Sequence, residues 1–322
     1  MAGGSLTEVI PMADDWYETV YENKHDVVNE FIRKKQSTGC SHRTLNSYSR
    51  TLKKFFHEQF PDLTPSEVTV QHVEDYVVSL DQRGLSQNTK RRYLESLSAF
   101  YDWTMKRPRF EEITGNPAAV VLEDIPKKIR ERPDCATWEN GAKIIREMTD
   151  PRNKTVAVLL AKTGCRVSEA LEVKMDDLML DEGFVRLRER KGGKQTVVPV
   201  DEETIQAIER FKFTRPTNDD SDYLFLSIRG NRVSKTQVQR AVKDAAVETG
   251  VMERGEDRFH KKFTPHTYRT VFTTLMRNQK MKQHILRYIR GDAASETMDI
   301  YTRVDREDAR KEYLDCIKPL NL

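Results

Sequence analysis

The pattern of apolar residues predicts a mainly α-helical chain with two domains. The first is all-helical, and the second is of α+β type, helical with a small antiparallel β-sheet. Two observations carry this prediction. Apolar residues recur at three- and four-residue spacing from Asp15 to Arg107 and again through most of the chain after Trp138. One stretch breaks that rhythm: Phe184-Val185-Arg186-Leu187-Arg188 alternates, Lys191-Gly192-Gly193-Lys194 supplies a turn, and Thr196 to Val200 reads as the returning strand. A length of 322 residues is enough for two hydrophobic cores.

The elements follow in order. Residues 1–14 read as a loose leader and residues 15–115 as a domain of roughly four helices. Val27, Phe31 and Ile32 share one apolar face; Leu45, Tyr48, Leu52, Phe55 and Phe56 share a second; Tyr93, Leu94, Leu97, Phe100 and Tyr101 share a third. Gly84 ends one helix, and Ser86 or Asn88 caps the next. Gly115-Asn116-Pro117 breaks the pattern, so residues 116–135 read as a basic, proline-marked linker, with Pro126, Lys127, Lys128, Arg130, Arg132 and Pro133 in it. Such a tether suits a clamp around a polyanion and equally suits an ordinary exposed connection. Residues 136–322 form the second domain. Its last apolar positions, Tyr313, Leu314, Ile317 and Leu320, suit docking either on a neighbouring chain or on their own domain.

Charge narrows the function classes. A third of the residues are charged, yet the net charge is only +3, so an anionic partner is implied only where cations cluster. They cluster twice in the first domain. Arg43, Arg50, Lys53 and Lys54 lie along one helix, and Lys90, Arg91 and Arg92 along another, a density suited to phosphate-backbone contact. No apolar run is long enough to span a bilayer, and the first residues lack the basic-then-apolar order of a secretory signal. Cys40, Cys135, Cys165 and Cys316 are scattered without metal-ligand spacing, so free thiols in a reducing cytoplasm are expected. Arg290-Gly291-Asp292 spells an adhesion tripeptide, which in such a protein is coincidence. Gly193-Lys194 is not a phosphate loop, because Gln195 stands where Ser or Thr is needed.

Five segments of the second domain bear on chemistry. Thr163-Gly164-Cys165-Arg166-Val167-Ser168-Glu169-Ala170-Leu171 puts Arg166 at a helix entrance with Glu169 on the same face. Lys191 and Lys194 flank the hairpin glycines. In Thr264-Pro265-His266-Thr267-Tyr268-Arg269, Thr264 caps a helix, Pro265 takes its first position, and His266 and Arg269 lie one turn apart, a good seat for an anionic oxygen. Arg290-Gly291-Asp292-Ala293 and Met298-Asp299-Ile300-Tyr301-Thr302-Arg303-Val304 complete the set. Each segment alone has an ordinary structural reading. Their order, R…K…H-x-x-R…Y, singles Tyr301 out from the eleven tyrosines.

That order resembles the catalytic domain of the tyrosine recombinases, or phage-type integrases. The family carries T-G-x-R-x-S-E-x-x, a hairpin lysine, H-x-x-R, then G-H/W, with I-Y-T nine residues after that His or Trp. The N-terminal part is similar to the family's core-binding, DNA-binding domain, including the helix start at Leu85-Ser86-Gln87-Asn88-Thr89 and the exit at Asn116-Pro117. The likeness covers about nine-tenths of the chain. It implies a site-specific recombinase that cuts and rejoins duplex DNA through a 3′-phosphotyrosyl bond at Tyr301, acting as a homo-tetramer on DNA without metal or nucleotide cofactor. Arg166 and Arg269 would grip the non-bridging oxygens. Lys191, with Lys194 as fallback, would protonate the 5′ oxygen, and His266 would share the tyrosine proton or bond the phosphate. Glu169 would brace Arg166. A non-catalytic DNA-binding relative and a type IB topoisomerase-like enzyme are the alternatives.

One position departs from the family. Asp292 stands where His or Trp is expected, and an ionised carboxylate cannot donate to phosphate. Three readings follow: an active divergent branch, a donor recruited from His284 or Arg290, or Asp292 capping a helix away from the phosphate.

Overall fold

The computed structural model describes residues 23–129, 133–188, 195–216, 221–256, 258–292 and 304–322. Three positions singled out above, Lys191, Lys194 and Tyr301, lie outside the described residues. The chain divides into two compact units, residues 1–129 and 130–322.

The first unit is all-helical among the described residues: α1 (Asp26–Ser37), α2 (His42–Lys53), α3 (Val70–Gln82), α4 (Gln87–Thr104) and α5 (Pro117–Glu123). Ser41 caps α2 and Ser86 caps α4, each side-chain oxygen accepting from the amide three residues on. The cap left open between Ser86 and Asn88 therefore falls to Ser86. Asn88 instead clamps the chain after α5, giving Nδ2 to the Lys128 carbonyl at 2.8 Å and accepting from the Lys128 amide at 3.1 Å. Gly84 follows α3 at φ +70°, the left-handed conformation that ends a helix. After α2 the helix widens into a π turn (Lys54–Gln59) in which both Phe55 and Phe56 are buried. Phe31 sits edge-on to Tyr48, Phe100 and Trp103, and Phe55 edge-on to Tyr76, so an aromatic lattice fills the core.

Asn116-Pro117 does not begin a linker. Asn116 caps α5, with its Oδ1 accepting from the Ala119 amide at 2.9 Å, and Pro117 takes the first helical position. Ala118 and Val121 enter the core of the first unit. Seven residues are too few to show a period, which is why the stretch reads as irregular.

The second unit holds α6 (Trp138–Glu147), α7 (Pro151–Thr163), α8 (Val167–Leu171), α9 (Glu202–Thr214), α10 (Lys235–Glu248), α11 (Pro265–Asn278), α12 (Gln283–Arg290) and α13 (Arg306–Cys316). Its sheet has the order β1 (Leu178–Met179), β2 (Phe184–Leu187), β3 (Thr196–Pro199), antiparallel throughout. The expected hairpin is β2 and β3, paired Phe184 to Pro199 and Leu187 to Thr196. The two-residue β1 was too short to alternate. Helix α7 is the buried axis: every residue from Thr155 to Thr163 is buried. It packs against α6, α9, α10 and α11. Ala309, Tyr313, Cys316 and Leu320 enter this same core, so the C-terminal segment docks on its own domain; Leu314 stays on the surface.

A buried cation fastens that segment. Lys162, fully buried, donates to Asp201 at 2.5 Å, Glu203 at 2.7 Å and the Lys318 carbonyl at 2.8 Å. Glu203 in turn accepts from the amides of Leu320 and Leu322. Lys162→Ala is expected to destabilise the protein by about 3–5 kcal/mol in denaturant unfolding, because two carboxylates would then face each other without a cation. Burial pushes the Glu203 carboxyl up, but Lys162 and the two amides outweigh it and hold its pKa below 4.5. This contribution is complete above the unfolded value and is lost as pH falls through the lower folded value, so acid below pH 4.5 should loosen the C-terminal segment.

Candidate active site and nucleic-acid interface

Three helix ends meet in the second unit. Gly164 closes α7 at φ +61°, and a Cβ there would run into the Phe272 ring. The chain then turns so that Arg166 caps α8 in an extended conformation. Glu169, 1% exposed, holds it from below: its carboxylate accepts from the Arg166 amide at 2.9 Å and from Nη1 at 2.6 Å. Thr264 and Pro265 start α11 as expected, which sets His266 and Arg269 one turn apart. The third end is that of α12, where Gly291 takes a left-handed turn at φ +65° into Asp292.

Arg269 joins the three ends. It is 4% exposed, and its Nη1 donates to the Gly164 carbonyl at 2.7 Å and the Arg290 carbonyl at 2.9 Å, the C-terminal carbonyls of α7 and α12. Its Nη2 donates to Asp292 Oδ1 at 2.5 Å. Burial and the nearby Arg290 lower its pKa to about 10 while Asp292 opposes them, so it remains a cation at neutral pH. Asp292 also pairs with Arg290 at 3.2 Å and lies 4.0 Å from Arg166 Nη2. His266 is exposed on its outer edge, yet the protein packed on its inner side lowers its pKa below 6.5, aided by Arg269, Arg166, Lys235 and Arg290. At neutral pH it is an uncharged imidazole that can accept a proton. Lys235, the first residue of α10, adds to this cationic field and has no motif to reveal it.

Arg166 thus comes together with His266, Arg269 and Asp292, which lie a hundred or more residues further along the chain. Tyr288 Oη donates to the Val197 carbonyl at 2.8 Å, which ties α12 to β3, the strand after the turn that carries Lys191 and Lys194 in the sequence.

The first unit holds a groove of about 760 Å³ between α2 and α4, lined by Arg43, Asn46, Arg50, Lys53, Lys54, Arg92 and Tyr93. Arg43, Arg50, Lys53 and Arg92 are exposed there. Two other expected contacts are occupied: Lys90 pairs with Asp81 at 2.5 Å, and Arg91 holds the carbonyls of Leu122 and Ile125 at the end of α5. Lys54 gives its ammonium to Tyr93 Oη at 3.3 Å, and its i+4 spacing from Arg50 is the signal that places it on the groove.

The phage integrase family model matches residues 139–308, and the model for a phage integrase N-terminal SAM-like domain matches residues 27–110. The chain belongs to the phage integrase family, the tyrosine recombinases. Among curated relatives of this integrase-family chain, tyrosine recombinase XerC of Thermodesulfovibrio yellowstonii is 29% identical over 283 residues, covering 84% of this chain and 89% of the relative. Tyrosine recombinase XerA of Pyrococcus horikoshii is 27% identical, covering 89% and 92%. The fold also matches a solved lambda integrase dimer bound to a COC' core site, with a TM-score of 0.68 at 17% identity, covering 88% of this chain and 98% of that one. A lambda integrase tetramer bound to a Holliday junction matches with a TM-score of 0.67 at 17% identity, covering 92% and 82%.

Proposed function

We propose that this chain is a site-specific DNA recombinase that cuts and rejoins duplex DNA through a covalent bond between Tyr301 and a 3′ phosphate. The observation that carries the reading is the convergence of Arg166, Arg269 and a neutral His266 where the helix ends meet, within a chain of the tyrosine recombinase family. The Tyr301 hydroxyl attacks the scissile phosphorus, and the bond to the 5′ oxygen breaks. His266 accepts the phenolic proton, and Lys191 (or Lys194) supplies one to the departing 5′ hydroxyl. Ionising a phenol at pH 7 costs about 4 kcal/mol, so proton transfer to a neutral imidazole and a cationic field both lower the barrier. Arg166 and Arg269 stabilise the charge that grows on the non-bridging oxygens, each worth roughly 3 kcal/mol. The phosphotyrosyl bond conserves the energy of the broken linkage, and attack by another 5′ hydroxyl returns the tyrosine.

Duplex DNA with a specific site is the partner, and the relative solved as a tetramer on a Holliday junction supports a homo-tetramer as the working assembly. No described helix is long and apolar enough to cross a membrane, and a DNA substrate is in keeping with the cytoplasm. The test is a nicked suicide duplex, drawn from the DNA that flanks the coding sequence or selected from a random pool. Wild type should leave a covalent adduct on a denaturing gel; binding without any adduct would favour a non-catalytic relative. Relaxation of arbitrary supercoiled DNA would favour the topoisomerase reading.

The groove of the first unit, with Arg43, Arg50, Lys53, Lys54 and Arg92, is the proposed backbone contact. The double substitution Arg50→Gln with Lys53→Gln should flatten the slope of log affinity against log salt by about 2, equally on site and non-site DNA. Lys90→Gln should leave that slope unchanged, since its charge is already paired with Asp81.

A further inference from the structure

Asp292 stands within a cluster of arginines. Three guanidiniums, Arg166, Arg269 and Arg290, face two carboxylates, Glu169 and Asp292. With Lys235 also in this field, the cluster carries a net positive charge that suits the negative charge of a phosphodiester. Arg290 holds Asp292 through Nη1, and its buried Nε has no partner among the described residues. The Arg290 side chain remains 26% exposed and Arg166 31%, so both are open to an incoming group. His284, the other candidate donor near in sequence, lies near the opposite end of α12, about 9 Å along the axis, among Lys282, Asp308, Lys311 and Glu312. It takes no part in the cluster.

We infer that Arg290 is a third phosphate-gripping residue, supplying the donor that Asp292 cannot, and that Asp292 is its positioning partner, spanning Arg290 and Arg269. An ordinary surface ion pair between residues two apart would point to water. This one turns inward, shares its carboxylate with the buried Arg269, and draws three like charges together, an arrangement that becomes favourable when an anion enters. The inference rests on the phosphotyrosyl reading above.

The experiment uses the suicide duplex that traps wild-type protein, made with a phosphate or with an uncharged methylphosphonate at the scissile position, each diastereomer separately. Failure of wild type to form any adduct on phosphate sinks the functional reading itself. Arg290→Gln is expected to slow adduct formation on phosphate about a hundredfold, with noncovalent DNA binding and the melting temperature kept. On one methylphosphonate diastereomer the same substitution should cost less than about threefold, because the oxygen that Arg290 serves has gone. A merely structural arginine would show the same loss on both linkages. The inference is overturned if the penalty persists on both diastereomers, or if Arg290→Gln cuts the phosphate within about twofold of wild type. Should Arg290→Gln fail to fold, Arg290→Lys gives the same comparison with about a tenfold loss on phosphate. If the neutral linkage is inert in wild type, the two phosphorothioate diastereomers replace it, and the sulfur effect must shrink in one of them for the inference to stand.

Discussion

Tyr301→Phe is expected to abolish the covalent adduct while leaving DNA binding intact. The change removes one oxygen and keeps the ring, so whatever packing the side chain makes is preserved; what is lost is the nucleophile. With the nucleophile gone, the rate of adduct formation should fall at least about ten-thousandfold, below detection on a denaturing gel. Mobility shift with the same duplex should match wild type within about twofold. An adduct that survives the substitution would move the nucleophile elsewhere. The pH profile of the wild-type reaction adds a second reading of the same step. Burial first, then the Arg269, Arg166, Lys235 and Arg290 cations, hold His266 below its ordinary 6.5, so it is an acceptor at neutral pH and becomes a cation only below that value. Adduct formation should therefore stay level from neutral pH down to 6.5 and fall as the imidazole protonates beneath it. A profile that already drops above pH 7 would remove His266 from the proton transfer.

Arg269→Gln should damage both stability and chemistry. Its guanidinium caps two helices at once through the carbonyls of Gly164 and Arg290 and neutralises Asp292 in a site it fills almost completely. Glutamine has one donor group and a shorter reach, so at least one helix-end carbonyl loses its partner and Asp292 loses its buried arginine, keeping Arg290 alone at close range. The cost is about 3–5 kcal/mol, visible in thermal or denaturant unfolding. The folded fraction should cut DNA about a hundred- to a thousandfold more slowly, because a donor aimed at the phosphate goes as well. Arg269→Lys should not rescue it: an ammonium is a point charge and cannot fork to two carbonyls and a carboxylate in one plane. Retention of wild-type stability by Arg269→Gln would mean that the helix ends find other donors. The comparison with Arg166 is informative. Arg166 is half-open and braced by Glu169, so Arg166→Gln should cost rate with far less stability.

Local rules make much of the architecture readable in the sequence. Ser86, Thr264-Pro265 and Gly84 announce helix boundaries within one to three residues, and the alternation from Phe184 to Leu187 announces the strand, although Phe184 and its neighbour Val185 are both buried. These signals failed where elements were short. The two residues of β1 and the seven of α5 have no room for a period, and Asn116-Pro117 serves equally well as a break or as a cap and first turn. For the site, the order of Arg166, His266, Arg269 and Tyr301 was written in the chain. The availability of each basic residue was not. Lys90 and Arg92 lie in one cluster in the sequence, yet Asp81 takes the charge of Lys90 while Arg92 faces the groove.

By itself, then, the sequence determined the two-domain helical design, the hairpin and the proposed nucleophile with its proposed partners, since caps, periods and motif spacings act over a few residues. Tertiary structure decided which of the described cations are paired, that the C-terminal segment folds onto its own domain, and which groups Asp292 meets. The bonds behind those outcomes join distant parts of the chain, such as Arg269 to Gly164 across 105 positions and Lys162 to Lys318 across 156. A carboxylate in place of an expected donor looks like a defect when read along the chain. Among three arginines it is a partner, because its charge is shared by groups that only the fold brings together.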